Sequence, residues 1–262
     1  MKQFSKSDIR RLRQASLDDP RILEKIRKDN DVVLNNPVLV PDTGCASWEL
    51  FYYCPKHGVP LIWDRRSPDE YHCPVDDHAF TGEPFYGAWW RKLNSLNARA
   101  CYELGIAWML TGEKVYFSLV REILMPYARY YPGYAEHGGI PCNGPGKMNA
   151  RTLCEARCLA EFVKGYDLIY DELTPAERGI IERDLLRACA DFLLGIRREQ
   201  LHNHEVWINS ALAMTGALLD DPGYLEAGVK AVWGLHDQLR CGVLKGGLLL
   251  IHLKHDDLPD YR

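Results

Sequence analysis

From Tyr86 onward, apolar residues recur at helical spacing in one segment after another, parted only by short connectors. In "WWRKLNSLNARACYELGIAWMLTG" the residues Leu93, Leu96, Ala100, Leu104, Ala107 and Met109 follow that spacing, and Thr111-Gly112 ends the run. "EKVYFSLVREILMPYARYYP" predicts the next helix, with Pro126 expected to kink it. After the loop "HGGIPCNGPGK" come "NARTLCEARCLAEFVKGYDLIYD" and then Thr174-Pro175-Ala176-Glu177, a capping box with Pro at the first helical position. "ERGIIERDLLRACADFLLGI", "VWINSALAMTGALL" and "GYLEAGVKAVWGLHDQL" complete the series, the last starting at Asp221-Pro222. No strand pattern interrupts these helices. They therefore predict a mainly α fold of antiparallel helix pairs, at about 45 residues per pair the scale of an incomplete (α/α) toroid.

The first eighty-odd residues break that pattern. Residues 1–40 form an N-terminal helical segment rich in charge, and 41–85 a small Cys/His-rich hairpin insert with strand-like "ELFYYC" and "GVPLIWD". The toroid helices occupy 86–262. A net charge of −4 gives no electrostatic reason to expect nucleic acid or an anionic membrane as partner, although a local basic cleft stays compatible with a polyanionic ligand. No apolar run approaches the ~20 residues that span a bilayer. "MKQFSKSDIRRLRQ" lacks the apolar core of a signal peptide, so the chain as written reads as cytoplasmic. Nine cysteines, several in apolar helical settings, read as reduced and packed rather than as a disulfide framework.

Four places carry candidate chemistry. In "YYCPKHGVPLIWDRRSPDEYHCPVDDHAF", Cys54 and His57 pair with Cys73 and a second-arm ligand; Asp76 holds the place of a last cysteine, and His78 is taken as the compensating fourth ligand of a structural zinc. Against this stands a hairpin held by Pro and aromatic packing alone. Trp89 and Trp90 are neighbours, about 100° apart on a helix, so one is expected to face a groove where an indole suits a sugar ring. Lys147, Asn149 and Glu155 surround a helix start whose free N–H groups favour an anion such as a carboxylate. In "HNHEVWINSAL", Asn203 stands at or near a helix cap and His204 shares a face with Trp207. Asn is an ordinary N-cap, but amide and imidazole together at one helix end also suit acid–base work.

"YYCPKHGVPLIWD…HCPVDDHAFTGEPFYGAW", "MLTGEKVYFSLVREILMPYARYYP", "GPGKMNARTLCEA" and "NHEVWINSALAM" occur in the order found in heparinase II/III-like proteins, and from about Cys45 to Gly247 the chain resembles that family of polysaccharide lyases, which includes oligoalginate lyases. The resemblance implies a toroid followed by a β-sandwich, and β-elimination on a uronic-acid polysaccharide such as alginate or heparin, with no cofactor required for the chemistry. It gives Asn203 the neutralisation of the substrate carboxylate and His204 an assisting or basic role, and implies periplasmic action for many members. The family's catalytic tyrosine lies in a segment that "LLLIHLKHDDLPDYR" does not reproduce; Tyr261 stands at a comparable distance in another context and receives no role. The expected chain is thus the first part of a lyase, lacking the C-terminal toroid helices and the sandwich. Its open end, with Trp233 and Leu235 as candidates, would favour self-association. Two rival functions remain: a zinc-stapled helical module that binds carbohydrate or protein without turnover, and an (α/α)-barrel glycoside hydrolase using Glu155 and Glu205.

Overall fold

The computed structural model describes residues 1–44, 46–138, 145–198 and 200–243; Cys45, Cys142 and Tyr261 lie outside the described residues. The described chain is mainly helical. Helices α1 (Lys6–Asp18), α2 (Arg21–Asp29) and α3 (Asp31–Leu34) precede a loop-rich segment whose one ladder pairs β1 (Tyr71–His72) antiparallel with β2 (Ala79–Phe80). The expected strands at "ELFYYC" and "GVPLIWD" reduce to a turn of 3₁₀ helix at Glu49–Phe51 and single bridges at Tyr53–Pro60 and Ile62–His72. Short alternations punctuated by prolines give too few consecutive N–H donors for a longer ladder.

Then follow α4 (Phe85–Thr111), α5 (Lys114–Tyr130), α6 (Thr152–Ile169), α7 (Pro175–Ile181), α8 (Ala188–Gly195), α9 (Asn203–Leu219), α10 (Pro222–Val229) and α11 (Leu235–Gly242). A π-helical stretch, Glu182–Arg187, joins α7 to α8. Gly112 takes the left-handed conformation (φ 71°) that closes α4, as the Thr111-Gly112 stop predicts. Helix α5 runs unbroken through Pro126. The capping box forms at α7: Thr174 Oγ1 accepts from Glu177 N–H at 3.3 Å, and the Glu177 carboxylate accepts from Thr174 N–H at 2.8 Å.

The single final helix read from the sequence is instead two. Trp233 adopts φ 59° between α10 and α11, and its carbonyl accepts from Asn209 Nδ2 (2.7 Å) and Gln238 Nε2 (3.2 Å). These side-chain bonds hold a break that helical periodicity does not reveal. Trp233 is also buried rather than exposed; the exposed apolar residues nearby are Val232, Leu239 and Val243.

Side-chain register fixes how the long helices run. Arg91 meets Cys154, Asn94 meets Cys158, Cys101 meets Gly165 and Gly105 meets Leu168, so α4 and α6 are parallel. Arg157 meets Trp207, and Lys164 and Asp167 share a cavity with Met214 and Leu218, so α6 and α9 are parallel too. The returning α5 is antiparallel, with Tyr127 against Asn94 and Lys114 reaching Glu172. Helix α10 is antiparallel to α9, with Gly216 against Leu225 and Gly228 against Asn209. At Gly165 a Cβ would lie 2.4 Å from Cys101 Sγ, so glycine is what lets α4 and α6 approach.

The main core lies among these helices, with Tyr127, Tyr131, Phe162, Tyr166, Leu104 and Leu159 fully buried. A second apolar cluster unites the loop segment with the first turns of α4, through Tyr52, Leu61, Tyr71, Trp89 and Leu93. At the far end the N-terminal strand of chain clasps α6 and α9: Lys2 and Gln3 N–H donate to buried Asp167 at 2.6 and 2.7 Å, and Lys2 Nζ to Leu218 O at 2.7 Å. The N-terminal ends of α4, α6 and α9 are left to carry the candidate site. No helix among the described residues is long and apolar enough to cross a membrane.

Candidate functional site

A cavity of about 380 Å³ opens between the first half of α4 and the first half of α6. Its walls carry four cations, Arg91, Lys92, Arg99 and Arg157, against two carboxylates, Glu49 and Glu161. Arg91 is buried, and its guanidinium donates to Cys154 Sγ at 3.1 Å and pairs with Glu49 at 2.9 Å. Burial lowers the Lys92 ammonium from its usual range; its Nζ lies 5.3 Å from the Trp63 ring. The Arg157 guanidinium sits 5.4 Å from the Trp207 ring, which ties this basic cavity to the start of α9.

At that start the residue spent on capping is His202, not Asn203. His202 Nδ1 accepts from His204 N–H at 3.0 Å, so Nδ1 carries no proton there. The His202 and His204 rings meet edge to face at 4.6 Å. Asn203 is the first helical residue, half-buried like His204, and among the described residues its side-chain amide makes no hydrogen bond. Trp207, one turn on, is exposed to 37%. Asn203, His204 and Trp207 therefore share one helix end, which Trp207 ties to the cation-lined cavity through Arg157.

Glu205 faces the other way. It is buried, accepts from Arg198 N–H at 2.7 Å and lies 3.4 Å from Arg197 Nε. Burial raises its carboxyl to about 7, against the opposing pull of those partners. Glu155 is likewise fully buried. Its carboxylate accepts from Tyr131 OH (2.8 Å), Met148 N–H (3.1 Å) and Asn149 N–H (2.9 Å), and burial still raises its pKa.

These contacts correct several sequence expectations. Glu155 and Asn149 are not on a ligand-facing surface, because the Glu155 carboxylate, in the first turn of α6, accepts from the Met148 and Asn149 N–H groups and ties the preceding loop back onto the helix. Lys147 is half-buried beside them, its Nζ 5.0 Å from the Tyr131 ring. Neither Trp89 nor Trp90 faces a groove: Trp89 stacks on Trp63 at 5.6 Å and donates to Asp64 O at 3.0 Å, and Trp90 is 9% exposed, edge-on to Trp89. The loop segment covers the face of α4 that a bare helical array would expose.

The metal expectation is partly reshaped. Cys54, His57 and Cys73 form a group that could hold a metal ion, their ligand atoms within 4.8 Å of one another. Neither His78 nor Asp76 is in that group and both are exposed; His78 packs edge-on against Phe80 at 4.8 Å. Sequence reasoning missed Arg91 and Arg157. The available signal was a lone cation set among apolar and Cys positions of a buried helix, as in "TLCEARCLAEF".

No protein-family model matches the chain. Similar curated proteins include an alginate lyase of Stenotrophomonas maltophilia, 32% identical over 136 residues, covering 51% of this chain and 18% of that protein. Another is an exo-oligoalginate lyase of Saccharophagus degradans, 29% identical over 162 residues, covering 61% of this chain and 22% of that protein. The chain spans about a fifth of the length of the curated relatives it matches.

Proposed function

We propose that the chain, which is similar over part of its length to alginate lyases, carries the substrate-carboxylate end of a lyase site acting on uronic-acid chains of the alginate type. The observation that bears most weight is that the Asn203 amide, which makes no hydrogen bond among the described residues, stands beside His204 at the helix end that Trp207 and Arg157 tie to the cavity of Arg91, Lys92 and Arg157. β-Elimination requires removal of the proton at C5, next to the carboxylate. Neutralising that carboxylate stabilises the charge that develops as the proton leaves, which is the task of Asn203 with the cavity cations behind it. His204 supports Asn203 or takes the proton. Trp207 offers an apolar face to a sugar ring.

The parallel row of α4, α6 and α9 with antiparallel α5 and α10 supports the incomplete (α/α) toroid, and the segment 41–85 is assigned as a small insert packed on its rim. The Cys54, His57 and Cys73 group is assigned to a structural zinc outside the chemistry. Hydrolysis by Glu155 and Glu205 is not favoured: both carboxylates are buried and engaged by backbone N–H groups. The test is calorimetric titration with an alginate oligosaccharide and with a neutral oligosaccharide of equal length. Only the uronate should bind, and Asn203→Ala and Arg157→Ala should each weaken it about tenfold or more, the loss expected for a hydrogen bond to a charged group. Equal binding of the neutral sugar, or indifference to both substitutions, would overturn the assignment.

A further inference from the structure

The two arms of the Cys/His segment fold as the same turn. In Cys54-Pro55-Lys56-His57-Gly58-Val59, Gly58 N–H donates to Cys54 O at 2.8 Å and Cys54 N–H to Val59 O at 2.8 Å. In Cys73-Pro74-Val75-Asp76-Asp77-His78, Asp77 N–H donates to Cys73 O at 2.9 Å and Cys73 N–H to His78 O at 3.0 Å. The fifth residue is left-handed in both, Gly58 at φ 64° and Asp77 at φ 55°. After glycine, Asp is among the residues that take this conformation most readily, so both sequences reach the same turn. Each turn offers its first and fourth side chains to one side, as a metal-binding knuckle does. The offered pairs are Cys54 with His57 and Cys73 with Asp76.

We infer that Asp76, and not His78, is the fourth ligand of a zinc ion held by Cys54, His57 and Cys73 in two matched knuckles. This deepens the structural-zinc assignment and is independent of the lyase assignment. Cys54 Sγ lies 3.5 Å from His57 Nδ1, and His57 Nδ1 lies 3.3 Å from Cys73 Sγ and 3.8 Å from Asp76 Oδ1. A zinc tetrahedron with bonds of about 2.0–2.3 Å has ligand–ligand edges of about 3.3–3.8 Å, so these three pairs stand at such edges, while Asp76 lies outside the set of three whose ligand atoms are all within 4.8 Å of one another and would close in on the ion. Asp76 Oδ2 is held by Lys56 Nζ at 2.9 Å, while Oδ1 is the oxygen nearer the histidine. Two thiolates and one carboxylate around Zn²⁺ leave one negative charge, and the Lys56 ammonium offsets it. Val75 N–H donates to Cys73 Sγ at 3.5 Å, further supporting a thiolate. His78 falls at the sixth position, the equivalent of Val59, where the turn directs no ligand.

Both cysteines belong to the apolar cluster that packs the segment on the first turns of α4. That segment has only two-residue strands of its own. A bound ion would fix Trp63 against Trp89 and, through Trp63, the position of Lys92 at the cavity. The experiment loads the metal-free chain with Co²⁺ and reads tetrahedral ligand-field and thiolate charge-transfer absorption, with Zn²⁺ displacement giving relative affinity. The wild type and His78→Ala should bind alike. Asp76→Ala should lose at least about tenfold in affinity, at or above the low end of what supporting groups of metal sites contribute, and Asp76→His should restore tight binding. No cobalt spectrum in the wild type would refute the structural metal altogether. A spectrum unchanged in Asp76→Ala, or lost in His78→Ala, would refute Asp76 as ligand while leaving the metal. Since Asp76→His keeps a ligand at the position, its result decides the case even where Asp76→Ala fails to fold.

Discussion

Glu205 should make this protein lose stability as pH rises. Its carboxyl sits beneath the first turn of α9, buried to 1% exposure, and burial raises its pKa from 4.5 to about 7. Between those values the folded state holds a proton that the unfolded chain has released, so stability falls with increasing pH. The contribution is intact below pH 4.5, the unfolded value, and is lost as pH passes through about 7, the folded one. At 1.36 kcal/mol per unit, the full loss is about 3 kcal/mol, of which about 2.5 kcal/mol falls between about pH 5 and about pH 8. Glu205→Gln cannot ionise but keeps an oxygen for Arg198 N–H. Urea unfolding of both proteins across that range isolates the group, because every other titration is shared. The stability of the wild type relative to Glu205→Gln should decline by about 2.5 kcal/mol from pH 5 to pH 8. A flat difference, or one that rises, would refute the burial argument and return Glu205 to an ordinary ion pair with Arg197.

Glu155→Gln should cost about 2–4 kcal/mol, since an amide NH₂ must then face the Met148 or Asn149 N–H in a dry interior; an unfolding midpoint near wild type would contradict the assigned network. Gly165→Ala should cost about 1–3 kcal/mol or more by pushing α4 off α6, measured as a lowered melting temperature; no change would mean the helices do not approach so closely. His202→Ala should weaken the α9 cap by about 1 kcal/mol without abolishing uronate binding, whereas Asn203→Ala should leave stability within about 0.5 kcal/mol and reduce binding. The reverse pattern, read by unfolding and titration together, would exchange the roles of the two residues.

The helices were legible because an amphipathic period states where each one lies, and the Thr174 capping box and the Gly112 stop mark their ends with residues that have few alternative uses. What sequence could not give was decided by contacts distant in the chain. The break at Trp233 depends on Asn209 and Gln238 reaching its carbonyl. The burial of Trp89 depends on Trp63 and Asp64 folding over it. His202 took the cap that the adjacent Asn203 is the stronger intrinsic candidate for, which is what leaves the Asn203 amide to a ligand. Arg91 and Arg157 acquire meaning only when α4 and α6 lie parallel with their starts together. Spacing alone identified Cys54, His57 and Cys73, but choosing between Asp76 and His78 needed the backbone of both turns.

Elimination at a uronate is decided by two signals followed in one reaction with alginate oligosaccharides. New reducing ends count every bond broken, and ultraviolet absorbance counts only products with a C4–C5 double bond conjugated to the carboxylate. Elimination predicts that the two rise in step and that Asn203→Ala and His204→Ala suppress both. Reducing ends without absorbance would mean hydrolysis, and neither signal from a protein that binds the oligosaccharide would mean that this site holds uronates without cleaving them.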